Sequence, residues 1–309
     1  MKTNNTSNKR AWAERLLMHL KMRFVLAKAP KSFLISASAL FAFIIKAPDI
    51  GFIPILTGIS VFVLTSGAAT LNNYQDRYLD SKMQRTQNRP LPAGKISVRQ
   101  TLVQAVFLIL IGMAGLYLVD ASATLLLLGA LAILCYNFVY TPLKAKSMLA
   151  IFPGAVCGML PPCIGWLAAG GTFDSITLWS ILAMFGLWQL PHYWLVLLLH
   201  QQDYMRSKVP NMLSLFSTGQ IRKVLFSWVM VFAIMTLALP LLNAIVTDFV
   251  RWLILLNALC LVCNFAYQFF LKAEHYNYKS LLVHLNASLV CMMSLGAVDR
   301  VILFWPQFL

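Results

Sequence analysis

Nine times along its 309 residues the chain stays apolar long enough to cross a bilayer: near 32–48, 52–73, 101–119, 122–140, 149–169, 176–199, 224–243, 249–271 and 281–298. About 20 apolar residues carry a helix across the hydrocarbon core. Inside lipid every backbone N–H and C=O must find a partner within the protein, which leaves helices or closed barrels. Runs of this length select helices. Hydrophobic residues make up 60% of the chain and charged ones 11%, where a soluble domain carries about one quarter charged. The fold expected is all-α: a polytopic membrane protein built as a bundle of about nine transmembrane helices. Eight spans would place the C-terminus on the same side as the N-terminus. The apolar, aromatic tail Val301–Pro306 reads as an interfacial segment.

The formal net charge of +15 does not point to nucleic acid, because the cations sit between apolar runs. One set of loops (the N-terminus, 74–100, 141–148, 200–223 and 272–280) holds 22 of the 25 Lys/Arg. The other set holds only Lys46, Arg251 and Arg300, beside Asp49, Asp248 and Asp299. Cytoplasmic loops retain Lys and Arg, so the reading is an integral plasma (inner) membrane protein with its N-terminus cytoplasmic and, with nine spans, its C-terminus outside. Residues 1–31 form a basic cytoplasmic or interfacial segment with eight Lys/Arg and no signal-peptide pattern. Within it, residues 10–28 read either as an amphipathic helix on the membrane surface or as a solvated basic tail. The six cysteines all lie in apolar runs; Cys260 and Cys263 form a CxxC with no second pair. They read as small packing residues rather than a redox or metal site.

Polar chemistry concentrates in the two long inside loops. The first follows Leu71-Asn72-Asn73-Tyr74-Gln75-Asp76-Arg77-Tyr78-Leu79-Asp80. Spacing of i, i+4, i+8 places Asn72, Asp76 and Asp80 along one helical stripe. Hard oxygen donors in this number suit Mg²⁺, which binds through one or two carboxylates plus phosphate oxygens. Arg85 and Arg89 follow, spaced to meet the same anion. Carboxylates at the mouth of a membrane helix are costly unless paired or bound to a cation; simple pairing with Arg77 and Lys82 is the alternative. The pattern points to a metal and a diphosphate at a membrane surface.

The second loop follows Trp188-Gln189-Leu190-Pro191-His192-Tyr193-Trp194 and contains His200, Asp203, Tyr204 and Arg206. Eleven residues separate His192 from Asp203, three turns on nearly one face if the helix is unbroken. Asp203 is a candidate to share the cation of the first loop, or else an ordinary partner of Arg206. His192 reads as an axial ligand, a proton carrier or an acceptor-orienting group, or as a simple hydrogen bond to a neighbouring helix. In Tyr140-Thr141-Pro142-Leu143-Lys144, the lysine can offer a point charge to phosphate or serve only as a topology signal. Gly154-x₃-Gly158 permits close helix approach, and Pro161-Pro162 suggests a bent helix lining a cavity.

Together these motifs resemble the intramembrane prenyltransferase superfamily of the UbiA type, over about residues 30–300. Asn72-x₃-Asp76-x₃-Asp80 with Arg85-Thr86-x₂-Arg89-Pro90 is shared across that superfamily. The run Gly154-x₃-Gly158-x₂-Pro161-Pro162-x-Ile164-Gly165-Trp166 is similar to its protoheme IX farnesyltransferase branch. So are Trp188-Gln189-x-Pro191-His192, the lone acid Asp203 with Tyr204, and Val209-Pro210. Asn211-Met212-Leu213-Ser214 departs from that branch, which usually has a second Pro soon after the Val/Ile-Pro pair. The Tyr140-Thr141 loop is also shorter and less basic than the branch pattern.

The resemblance implies a single transmembrane prenyltransferase domain over 32–309, with a central cavity open to the cytoplasmic side. It implies farnesyl transfer from farnesyl diphosphate to a vinyl group of heme B, giving heme O, with Mg²⁺ bridging the diphosphate. Asp76, Asp80, Arg85 and Arg89 would be catalytic, and Asn72, Asp76, Asp80 and Asp203 would hold the metal. Lys144, Tyr140, Trp188, His192, Tyr193 and Arg206 would bind substrate. The partners implied are heme B, farnesyl diphosphate, the lipid bilayer and a downstream heme-modifying enzyme, with no nucleic acid. The first motif would equally suit a 4-hydroxybenzoate-type aromatic prenyltransferase of quinone biosynthesis.

Overall fold

The computed structural model describes residues 3–48, 51–207, 210, 212–271 and 276–304. Lys208, Val209 and Asn211 of the second loop, and Trp305 and Pro306 of the tail, lie outside the described residues. Among the described residues the regular structure is helical throughout. After α1 (Thr3–Leu26) come nine helices long and apolar enough to span a membrane. They are α2 (Ala29–Lys46), α3 (Phe52–Asp80), α4 (Val98–Val119), α5 (Ala123–Leu143), α6 (Met148–Ala168), α7 (Ile176–Leu199), α9 (Thr218–Leu241), α10 (Asp248–Leu271) and α11 (Tyr278–Leu303). A short α8 (Gln201–Ser207) lies in the loop after α7.

The expected spans and the observed helices overlap throughout, the other ends differing by up to about six residues, and the largest difference falls at the end of α3. The apolar run of α3 ends near Asn73, yet the helix continues to Asp80. Those two extra turns carry the acidic stripe beyond the apolar span as a rigid helical end.

Small residues set the tightest crossings. A Cβ on Gly112 of α4 would sit 2.6 Å from the Leu64 backbone of α3, and one on Gly165 of α6 would meet the Ala39 carbonyl of α2. Without a hydrophobic force between helices in lipid, such close backbone packing is a main source of association. Gly154 and Gly158 do something different. They make room for the Tyr140 ring and the Gln189 side chain, so this GxxxG seats side chains rather than a helix backbone. Pro161 and Pro162 are both buried, and the helix runs through them without a break.

Among the described residues the apolar core has two main lobes and a small third cluster of Leu26, Leu91 and Ile96 beside the first long loop. One joins α2 with α6, α7, α9, α10 and α11 around Phe232, Phe265, Ile181, Leu195 and Leu285. A smaller one joins α3, α4 and α5 to α2 and α6 around Val61, Leu64, Leu116 and Ile164.

Both long loops enter their next helix through the same device. Ser97 accepts from Gln100 N at 3.2 Å while the Gln100 side chain accepts from Ser97 N at 3.2 Å. Ser217 and Gln220 repeat this capping box at 3.3 and 2.9 Å. Each satisfies orphan N–H groups at a helix start.

Candidate active site

The end of α3 gathers the polar stripe. Asn72, Asn73, Asp76 and Asp80 are all buried, with 1, 2, 8 and 5% exposure. Acids at a helix C-terminus meet the negative end of the helix dipole, at a cost of about 0.3–1 kcal/mol each, and burial adds desolvation. Cations from separate parts of the chain offset both terms. Arg89 Nη1 lies 2.7 Å from Asp80 Oδ2, and Lys144 forms an ion pair with Asp76. Arg77, the nearer candidate in sequence, instead stacks on Tyr74 and Tyr78. Local pairing with Arg77 and Lys82 is therefore not how this stripe is balanced.

Lys144 reaches Asp76 because of how α5 ends. Residues Leu134–Tyr140 form a π-helical stretch, a distortion common at functional sites. It turns Asn137 fully inward, where its amide donates to Ala68 O and Gln75 Oε1, each at 3.0 Å. Tyr136 and Tyr140 stack at 5.8 Å, and the Lys144 ammonium lies 5.6 Å from the centre of the Tyr140 ring. Nothing in the hydrophobic pattern of 122–140 signals this bulge.

Sequence reasoning also missed Lys28, which it left among the topology charges. Lys28 sits in the left-handed region, φ 45° and ψ 42°, at the joint between α1 and α2. Asn73 clamps that joint by donating to Leu26 O at 2.7 Å. The Lys28 ammonium donates to Asn72 Oδ1 at 2.6 Å, and Asn72 donates to Thr141 Oγ1 at 2.9 Å. Burial, with the charges of Arg89 and Lys144 close by, lowers the Lys28 pKa to about 7. The positive φ at Lys28, shared among the described non-glycine residues with Asn243, leaves no mark in the sequence.

The second loop meets the first through Asp203, which is buried. Its carboxylate accepts from Gln84 N at 3.3 Å and Arg85 N at 3.2 Å. Arg85 also hydrogen-bonds the Tyr204 side chain, while burial raises that phenol above its usual range. The two loops therefore lie at the same end of the bundle. Among the described residues, however, no three His, Cys, Asp or Glu side chains converge as a metal cluster. Asp203 faces backbone N–H groups, whereas Asp76 and Asp80 face cations.

The single-face relation expected between His192 and Asp203 does not hold. At His200 the backbone leaves helical geometry, φ −117° and ψ 29°, so α7 and α8 are separate helices. His192 is instead deep in α7, its Nδ1 3.0 Å from Asn286 Oδ1 on α11, with the Trp188 ring 4.6 Å away. Tyr193 is half-buried beside it, packed on the larger core lobe. Arg206 is exposed and borders a groove with Met205 and Leu213, outside the acidic stripe. Cys260 and Cys263 are exposed on the outer surface of the bundle.

The described donors fit a Mg²⁺–diphosphate pair. Breaking a buried ion pair by removing one partner costs about 3–5 kcal/mol. If Lys144 and Arg89 turned to a phosphate, Asp76 and Asp80 would need a replacement cation. A divalent ion bound through two carboxylates and phosphate oxygens satisfies every group in that exchange.

A family model described as the UbiA prenyltransferase family matches residues 33–289. The chain belongs to the UbiA prenyltransferase family. It is a membrane-embedded prenyltransferase. A protoheme IX farnesyltransferase of Oleidesulfovibrio alaskensis is 30% identical over 275 residues, covering 87% of this chain and 93% of that protein. One from Geobacter sulfurreducens is 41% identical over 159 residues, 52% of this chain and 57% of its own. Among solved structures, a UbiA homolog from Archaeoglobus fulgidus bound to GPP and Mg²⁺ aligns with a TM-score of 0.69 at 13% identity. That alignment covers 90% of this chain and 99% of the other. A digeranylgeranylglyceryl phosphate synthase structure aligns at 0.72 with 14% identity, over 91 and 98% of the two chains. The UbiA-type fold therefore covers nearly all of the chain.

Proposed function

We propose that this prenyltransferase moves a farnesyl group from farnesyl diphosphate to a vinyl group of heme B, releasing diphosphate and giving heme O. The observation that carries the chemistry is the pair of buried carboxylates at one helix end, each closed on a cation from elsewhere in the chain. The acceptor rests on the near full-length similarity to a protoheme IX farnesyltransferase.

Asp76 and Asp80, with Asn72, would hold Mg²⁺ against the diphosphate; bound there, the metal neutralises charge on the leaving oxygens. Arg89 and Lys144, released from their carboxylates, move onto the phosphates and stabilise charge as the C–O bond breaks. Lys28, bonded to Asn72 and close to Arg89 and Lys144, supplies a third cation. Asp203 and Arg85 tie the two loops together over the stripe, so Asp203 acts on the metal through loop position. The apolar interior takes the farnesyl chain and keeps water from the allylic cation. The heme vinyl group captures that cation, and water adds to the resulting carbocation, its spare proton going to the released diphosphate. Farnesyl diphosphate, heme B and water thus become heme O and diphosphate.

The Lys/Arg asymmetry supports an inner-membrane orientation with this end cytoplasmic. Heme O, being amphipathic, then passes within the bilayer to an enzyme that uses or further modifies it. The test is acceptor competition: detergent-solubilised protein with Mg²⁺ and farnesyl diphosphate, offered heme B or 4-hydroxybenzoate, with products read by mass. Farnesyl hydroxyethyl heme is the expected product. Prenylation of 4-hydroxybenzoate alone would overturn the heme assignment.

A further inference from the structure

Residues His192, Trp188 and Asn286 form a group that the diphosphate chemistry leaves unused. His192 and Trp188 stand one turn apart on α7, ring centroids 4.6 Å apart, and Asn286 reaches them from α11. The Asn286 atom facing His192 Nδ1 at 3.0 Å is the amide oxygen, which can only accept a hydrogen bond. With Nδ1 donating to that oxygen, the neutral imidazole keeps its lone pair on Nε2, and the hydrogen bond orients the ring. The indole N–H of Trp188 is buried with no hydrogen-bond partner among the described residues. A buried donor left unpaired destabilises the fold, and Trp is donor only. A Lewis-basic nitrogen and an unspent N–H on neighbouring rings match an acceptor molecule that brings both a metal ion and hydrogen-bond acceptors.

We propose that Asn286 is a positioning residue for the heme acceptor: it holds His192 in the Nδ1–H tautomer so that Nε2 can ligate the heme iron, beside the free Trp188 N–H. The inference rests on the heme reading above. Metal-bound histidines commonly donate their second N–H to an outer partner, and losing that partner lowers metal affinity about 10–100-fold.

The test is ferric heme B titration of the purified full chain in detergent, read by the Soret band, with farnesyl diphosphate binding measured on the same samples. His192→Ala should lose the ligated spectrum. Asn286→Leu should weaken heme binding about tenfold or more while leaving farnesyl diphosphate affinity unchanged. Asn286→Asp keeps an oxygen acceptor and makes it anionic, so it should retain heme and shift the reduction potential of bound heme downward, an effect of ligand basicity that a packing role would not produce. Heme binding unchanged in Asn286→Leu, or a potential unmoved in Asn286→Asp, would overturn the proposal. If Asn286→Leu fails to fold, the Asn286→Asp potential alone still separates a positioning role from a packing one. Loss of heme in His192→Ala with no response at Asn286 would refute the positioning role but leave the heme reading intact. A wild-type protein that neither ligates nor prenylates heme would refute that reading itself.

Discussion

The two loops at the polar end of the bundle look alike in sequence and are held by opposite means. Each follows a long helix, has aspartate at or just past the end of that helix, and closes into the next helix with a Ser-x-x-Gln capping box. In the first, Asp76 and Asp80 meet charged partners, Lys144 and Arg89. In the second, Asp203 accepts from the main-chain N–H groups of Gln84 and Arg85. An ion pair can be exchanged for other ions; a carboxylate capping a loop backbone holds a shape. On the proposed reading, the first set of acids does chemistry and Asp203 aligns the loops, although both present aspartate.

Amide substitution separates those roles most sharply. Asp76→Asn and Asp80→Asn should each lower kcat by about 100-fold or more, the scale on which transition-state charge stabilisation is lost, while the protein still inserts. Asp203→Asn keeps one of its two oxygen acceptors and should lose about tenfold, the low end of what one hydrogen bond to a charged group is worth. If steady-state farnesyl transfer in membranes shows equal losses at all three positions, Asp203 is a metal ligand and the division collapses. Next in size, Lys144→Met should reduce kcat by about 10–100-fold and leave Asp76 as an unpaired buried carboxylate. A lowered melting temperature that recovers with Mg²⁺ and diphosphate would be its accompanying sign. Lys28→Met should act on binding, raising KM for farnesyl diphosphate several-fold with kcat within about twofold, as expected for uniform binding of ground and transition states. A kcat effect larger than the KM effect would move Lys28 into the chemical step.

The smallest effect lies at the other end of the bundle, in the short α4–α5 connection. Asp120 accepts hydrogen bonds from Ser122 N and Oγ, which hold its carboxyl below the usual range. A depressed folded pKa contributes stability that is present above the unfolded value near 4 and lost as pH falls through the lower folded value. The melting-temperature gap between wild type and Asp120→Ala should be slight at pH 6 and vanish toward pH 3. A gap independent of pH would assign it to something other than this carboxylate.

The spans were legible because lipid imposes one solution on each apolar run, and the acidic stripe because carboxylates there are too costly to be incidental. Ser97 with Gln100 and Ser217 with Gln220 are capping boxes that the residue pattern alone could have signalled. Other features depended on geometry no periodicity encodes. The π-helical turn at Leu134–Tyr140 aims Lys144, and the break at His200 separates His192 from Asp203. Partner choice was the hardest to foresee: Asp76 and Asp80 pass over Arg77 beside them, because its guanidinium is occupied by Tyr74 and Tyr78.

The left-handed backbone at Lys28 sets stability and activity against each other. A residue with a side chain pays about 1–2 kcal/mol for that conformation, so glycine there would relax the joint and toughen the fold. The same replacement would delete the ammonium beside Asn72. A search for hardier variants of this enzyme would therefore tend to select glycine at position 28, with a weakened grip on the diphosphate as the result.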